Sequence, residues 1–317
     1  MKTKQPQNAA TELRSPKKRR TSLAFKKNIL LYALVLPAVV MTLWMNYVPM
    51  FGISVAFMDY DLIKGFASPW IGFDNFKELF TLPMFTKATF NTVYLSFLSL
   101  FIVFPLPVIF ALLLNEIKCS AYKRVVQTVS YLPHFLSWIA VIGMAQSVYS
   151  SYGIINDLRV MMFGEGTERI RFLASQGFFI PNVIILSIWK EIGWSSIVYL
   201  AAITGIDPQL YEAAHVDGAN RFQQCLKITL PSILPTVVML FVLKIGGLFR
   251  DNFDLIYGLQ NAYIDFETIS TITYKQGITA GNYSMATAIG LFQGAVGFVL
   301  VALANSFSKK INNVALW

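Results

Sequence analysis

Five long stretches of this chain carry no charged side chain: Asn28 to Met58, Ala88 to Asn115, Val125 to Asn156, Ile228 to Leu243 and Gln276 to Ser308. A sixth runs from Phe172 to Trp189, and the Ile228 to Leu243 run continues past the single Lys244. A helix needs about 20 apolar residues to cross a hydrocarbon layer about 30 Å thick. The runs therefore predict six spans, near 29–51, 90–114, 125–149, 181–204, 233–257 and 283–307. Only 14% of the 317 residues are charged, against about 25% in a soluble domain. A water-soluble fold with such runs would expose large apolar patches. The expected class is an all-α membrane protein, a bundle of about six transmembrane helices.

The first run is too long for the apolar core of a signal peptide, and no small-residue cleavage site follows it, so it is expected to remain as a helix. Orientation follows from lysine and arginine. With the N-terminus inside, the inner segments carry sixteen basic residues and the outer ones seven. Both termini are then cytoplasmic, and the protein belongs in the cell membrane as a multi-pass protein. Residues 1–28 are polar and basic, the composition of a disordered tail; 29–317 form the membrane domain. The tail Lys17-Lys18-Arg19-Arg20 accounts for much of the net charge of +9. It lacks the folded, aromatic setting of a nucleic-acid site and serves as an anchor beside anionic lipid. Cys119 and Cys225 have no metal-type spacing and read as reduced thiols.

The longest structured inner loop, 207–231, is polar where its surroundings are apolar. Locally it reads as a helical hairpin. Asp207 is an N-cap with Pro208 in the first turn. Gly218 suits a left-handed residue after a helix end. Asn220 and Gln223 make a capping box for a second helix, which Leu230-Pro231 should stop. Tyr211, Ala214, Phe222, Leu226 and Ile228 form an apolar side; Glu212, Asp217, Arg221 and Lys227 form a polar one. The outer stretch 59–87, with Trp70, Gly72, Phe73, Phe76, Phe80 and Pro83, reads as a packed cap.

The order Glu212-Ala213-Ala214, three residues, Gly218, nine residues, then Ile228-x-Leu230-Pro231 resembles the EAA loop of ABC-importer permeases. Further stretches resemble the carbohydrate (maltose-type, LplB-like) branch, whose members serve importers of oligosaccharides and uronate oligomers. They are Tyr47 to Gly52, Trp70 to Phe76, Ala111 to Glu116, Tyr131 to Phe135, Trp189 to Trp194 and Leu316-Trp317. The resemblance implies the type I importer permease fold. It implies a second homologous permease as heterodimer partner, two ATPase subunits that carry ATP and Mg, and an extracytoplasmic solute-binding lipoprotein that delivers the oligosaccharide. It also implies that the hairpin docks on an ATPase, with Glu212, Ala213, Ala214, Asp217, Gly218 and Arg221 as coupling residues. No cofactor is expected on this chain.

Charged groups at membrane depth are costly and are functional candidates. Lys190 and Glu191 fall nine and ten residues after Pro181, about 15 Å in at a rise of 1.5 Å per residue. They either pair with each other or bond a neighbouring carbonyl, as structural groups, or they wall a polar cavity. A sugar offers hydroxyls and flat apolar ring faces, which suits Trp189, Lys190, Glu191 and Trp194. A second group, Asp251, Asn252 and Asp254 beside Arg250, either contacts cargo or pairs internally; Asn252-Phe253 matches an Asn-Phe pair of maltose-type permeases. Lys244 faces the cavity or a partner subunit, His134 reads as structural, and Gly290, Gly294 and Gly297 suit close helix packing. No phosphate-binding loop, metal cluster or nucleophile motif occurs, so the expectation is a non-catalytic transport subunit. The competing reading is an ion-coupled secondary sugar transporter, with Glu191 or Asp254 as the coupling group.

Overall fold

The computed structural model describes residues 28–312. Apart from Asn28, the predicted tail lies outside the described residues, as does Leu316-Trp317. The chain divides into two compact units, 1–54 and 55–317. In the first, α1 (Ile29–Thr42) contains Pro37 and passes into a wider π turn, Leu43–Tyr47. The Thr42 hydroxyl donates to the Ala38 carbonyl at 2.8 Å, which satisfies a hydroxyl that lipid could not. The apolar run Ile29–Phe57 has 29 residues, longer than the predicted 29–51.

The second unit opens with the aromatic cap. Phe57 stacks on Trp70 at 5.5 Å and meets Phe73 and Phe76. Buried Asn75, in α2 (Asp74–Thr81), donates to the carbonyls of Ala56 at 2.8 Å and Met58 at 3.0 Å. That explains the Trp70 to Phe76 stretch physically: aromatics fill the cap and one amide ties it to the chain entering it. The 34-residue span Pro83–Glu116 consists of α3 (Pro83–Leu98), a π turn at Ser99–Val103 and α4 (Pro105–Glu116). The π turn precedes Pro105 and Pro107, where the regular ladder would lack donors.

The third predicted span, 125–149, is not one straight helix. α5 (Ser120–Tyr131) ends in a 3₁₀ turn, Leu132–Phe135, and α6 (Trp138–Val148) leaves at 105°. Pro133 removes a ladder donor, and Ser137 caps the new helix by accepting from Ala140 N–H at 3.2 Å. α7 (Ile154–Phe163) lies in the segment beyond. The central helix is α8 (Gln176–Thr204), which begins five residues before Pro181. It carries Tyr199, Leu200 and Ile203 against Val108, Ala111 and Leu114 of α4, and Phe179 and Val183 against α6. Packing among spans rests on close contact and small residues, since lipid is as apolar as leucine.

After the hairpin helix α9 (Pro208–Val216), α10 (Arg221–Gln224) runs through a π turn at Cys225–Thr229 into α11 (Leu230–Gly246). Leu230-Pro231 therefore does not stop the second helix. The wider turn just before Pro231 absorbs its missing donor, and the span continues for 26 residues, Arg221–Gly246. The predicted span 233–257 is in turn broken: 247–252 is non-helical, and α12 (Phe253–Leu259) restarts beyond it. α13 (Ile269–Tyr274) and α14 (Tyr283–Asn312) complete the unit. Leu79, Phe85, Ile269, Ile272, Met285 and Ile289 make their shared core with α2 and α3.

Candidate functional site

The break at 247–252 frees main-chain groups at membrane depth, where an unsatisfied one costs several kcal/mol. Two neighbouring helices supply the missing donors. Ser96 of α3 gives its hydroxyl to the Leu248 carbonyl, and Gln293 of α14 gives its amide to the Phe249 carbonyl. Neither was predicted. The available signal was a polar side chain inside an apolar run, which needs a partner there. Asn252 ends the break by capping α12, accepting from Leu255 N–H at 3.2 Å.

Beside this break lies a cavity of about 730 Å³, bounded by α3, α4, α6, α8 and α11. Of the predicted residues, Glu191, Trp194, Asp251 and Asn252 line it, together with Lys244 and Arg250. Trp189, Lys190 and Asp254 do not. Trp189 is 44% exposed on another face of α8, and Asp254 is exposed in the first turn of α12. The cavity wall also holds Trp138 and the serines 96, 99, 187 and 195, hydroxyl and ring surfaces that sequence reasoning passed over.

Lys190 is 5% exposed and turned to the bend instead. Its ammonium donates to the His134 carbonyl at 2.7 Å and lies 5.0 Å from the centre of the Trp138 ring. Successive residues on a helix point about 100° apart, so Lys190 can enter the protein while Glu191 faces the cavity. Glu191 accepts from His134 Nδ1 at 2.9 Å and sits 3.6 Å from the Lys190 ammonium. The His134 ring stacks on Trp194 at 4.4 Å with 1° between planes. A helix-to-helix clamp thus joins α8 to the bend, and the structural reading of His134 gains a partner.

Lys244 and Arg250 form no ion pair among the described residues. Both carboxylate oxygens of Asp251 are buried without a hydrogen bond of good geometry, with the Thr268 and Ser270 hydroxyls in reach. A second cavity of about 390 Å³ shares Leu243, Gly247 and Arg250 with the first and is lined by Gly290, Gly294 and Gly297 of α14. Gly297 does pack closely, 3.3 Å from its would-be Cβ to the Gly246 carbonyl, but Gly290 and Gly294 face open space. Close packing by all three glycines is therefore not what this chain shows.

At the end of the bundle marked by Glu116, the hairpin forms as its caps require. Asp207 accepts from Gln209 N–H at 2.9 Å, and Asn220 and Gln223 exchange bonds at 2.9 Å. Gly218 has φ +79°, where a side chain is costly. Tyr211 bonds Thr229 at 2.9 Å, which braces the hairpin on the following helix. Glu212, Ala213 and Asp217 are exposed and Ala214 is half-buried. Arg221 pairs with Glu116 at 3.2 Å, so it ties the hairpin to α4. Phe222, expected on the apolar side, is 71% exposed, and Val216 is 86% exposed. The hairpin thus presents two carboxylates, small residues and two bare apolar side chains outward.

Residues 84–313 match the family described as binding-protein-dependent transport system inner membrane component. The chain is 41% identical, over the full length of both, to the polygalacturonan/rhamnogalacturonan transport system permease protein YteP of Bacillus subtilis (strain 168). Its fold is similar to a chain in the crystal structure of a bacterial ABC transporter involved in the import of the acidic polysaccharide alginate. That match has TM-score 0.84 and 40% identity, covering 93% of this chain and all of the other. A second structure, a bacterial alginate ABC transporter in complex with an alginate pentasaccharide-bound periplasmic protein, matches with TM-score 0.84 and 39% identity, covering 94% of this chain and all of the other.

Proposed function

Because this chain belongs to the family of binding-protein-dependent transport system inner membrane components, we propose that it is the permease subunit of an ATP-driven importer of acidic oligosaccharides. It is a membrane transport subunit and not an enzyme. An extracytoplasmic binding protein delivers the sugar to the capped end of the bundle. ATP and Mg act on two ATPase subunits, against one of which the hairpin 207–231 docks from the cytoplasmic side. A second, homologous permease completes the path. Within this chain the hairpin is braced by Tyr211–Thr229 and Arg221–Glu116, so a push on its exposed face moves α10, α11 and α4 together. α11 ends at the break that walls the cavity, which gives the push a route to the cargo.

The observation that carries the acidic cargo is the pair of exposed cations, Lys244 and Arg250, which line the cavity and form no ion pair among the described residues. Placing a lysine or arginine mid-span costs about 2.5–3.5 kcal/mol on insertion scales. A uronate carboxylate returns about 1.5–3 kcal/mol per charge-assisted hydrogen bond. Serines 96, 99, 187 and 195 supply partners for hydroxyls, and Trp138 and Trp194 supply ring faces. The names of the alginate and polygalacturonan relatives agree with an acidic sugar. The test is uptake by vesicles carrying the complete importer, comparing uronate oligomers with the same oligomers after reduction of their carboxyl groups. Lys244→Gln should raise KM for the acidic form about tenfold or more, at 1.4 kcal/mol per tenfold, and leave the reduced form unaffected. Equal losses for both, or none, would remove the acidic-cargo reading.

A further inference from the structure

The cavity contains a contradiction that its geometry resolves. Glu191 of α8 and Lys244 of α11 line the same cavity. A flexible glutamate that shares a cavity with an exposed, unpaired ammonium can close on it and form an ion pair. It does not: no ion pair joins them, and Glu191 is turned the other way. What holds it there is the bend after α5. His134 Nδ1 lies 2.9 Å from one carboxylate oxygen, and the Lys190 ammonium lies 3.6 Å from the other. Both holders are themselves fixed. The imidazole is flat against Trp194 at 4.4 Å, and Lys190 is anchored by the His134 carbonyl at 2.7 Å and by the Trp138 ring.

We infer that His134 is a positioning residue for cargo selection: it holds Glu191 back and so leaves Lys244 free for a carboxylate of the transported sugar. This rests on the acidic-cargo reading. The 105° bend is the backbone device that makes it possible. A straight helix through 132–137 would keep the His134 carbonyl in its own ladder, unavailable to Lys190. Pro133 and Ser137 break that ladder, and the freed carbonyl and the ring act on two adjacent residues of α8. Remove the ring, and Glu191 keeps only the longer contact to Lys190. Rotation about its side chain then brings a tethered carboxylate to Lys244, where it competes with every cargo carboxylate at high effective concentration.

The experiment measures uptake kinetics in vesicles holding the complete importer and its binding protein, with a uronate oligomer and its carboxyl-reduced counterpart. The variants are His134→Ala, Glu191→Gln, the double variant, and His134→Gln, which keeps a donor at the ring position. His134→Ala should raise KM for the acidic oligomer about tenfold, the scale of losing one charge-assisted contact, and leave KM for the reduced oligomer unchanged. The double variant should return KM to that of Glu191→Gln, because the competing carboxylate is gone, and His134→Gln should be milder than His134→Ala. A role in folding alone predicts the opposite: both cargoes suffer, and Glu191→Gln rescues nothing; that result overturns the inference. Lys244→Gln separates the two levels. If it leaves acidic uptake intact, the acidic-cargo reading falls and this inference with it. If it impairs acidic uptake while the double variant stays as poor as His134→Ala, the inference alone falls.

Discussion

Gly193 offers a severe test of how α8 and the bend are held together. It faces Ser130 of α5, and a Cβ built on it would overlap the Ser130 carbonyl. These are main-chain atoms, so no rotamer change relieves the overlap. The two helices must part by roughly 1 Å before a methyl group reaches ordinary contact distance. Overpacking of this kind costs about 1–3 kcal/mol, and more where the neighbour is rigid. The same displacement lengthens the 2.9 Å His134–Glu191 bond, two residues from the clash, past useful range. That forfeits a further 1.5–3 kcal/mol or so. Against both stands a helix-propensity gain of about 1 kcal/mol for alanine over glycine. Gly193→Ala is therefore expected to lose about 2–5 kcal/mol net, which lowers the melting temperature by about 4–10 °C at the scale of a large domain. The assay is tryptophan-fluorescence melting of the purified protein in detergent. Gly143→Ala on α6 is the control, since its Cβ meets open space. If Gly193→Ala melts within about 1 °C of the control, the close contact between α5 and α8 is not as described and the clamp argument loses its frame.

Gly218→Ala puts a side chain at φ +79° in open space, so its cost is backbone strain alone, about 1–2 kcal/mol. It should lower uptake per ATP hydrolysed by the assembled importer, with Gly218→Asn milder because asparagine tolerates this region; identical coupling in all three proteins would remove the hairpin turn from the mechanism. Gln293→Leu leaves the Phe249 carbonyl without its donor and should cost about 1–3 kcal/mol in the same melting assay. Ser96→Ala strips the adjacent Leu248 carbonyl, and because both donors hold one break, the double variant should depart from additivity; independent, additive losses would mean the break is not a single supported unit.

The hairpin was legible because its code is local. Asp207, Gly218, Asn220 and Gln223 act on groups two or three residues away, and each cap forms as its chemistry requires. The spans were legible as apolar runs, five of them single candidate spans and the sixth a bent pair, but not in shape. Hydropathy runs unbroken through Pro133, so nothing in a charge-free window from 125 to 156 distinguishes a straight crossing from a right-angle bend. In the same way 233–257 read as one span, although Gly246-Gly247 followed by Arg250 and Asp251 is the composition of a break. Depth along a helix likewise could not separate Lys190 from Glu191; only the bend, some 56 residues earlier in sequence, decides which one enters the protein. The breaks and the function share a cause. Irregular backbone at membrane depth survives only where protein or a water-filled cavity surrounds it. Here the irregular segments 132–137 and 247–252 lie next to one cavity, one supplying His134 behind its wall, the other Arg250, Asp251 and Asn252 on it. Read in that light, the two interruptions point to the cavity more sharply than the charges did. The charges say only that something polar is buried, whereas the interruptions say where the helices stop being walls against lipid.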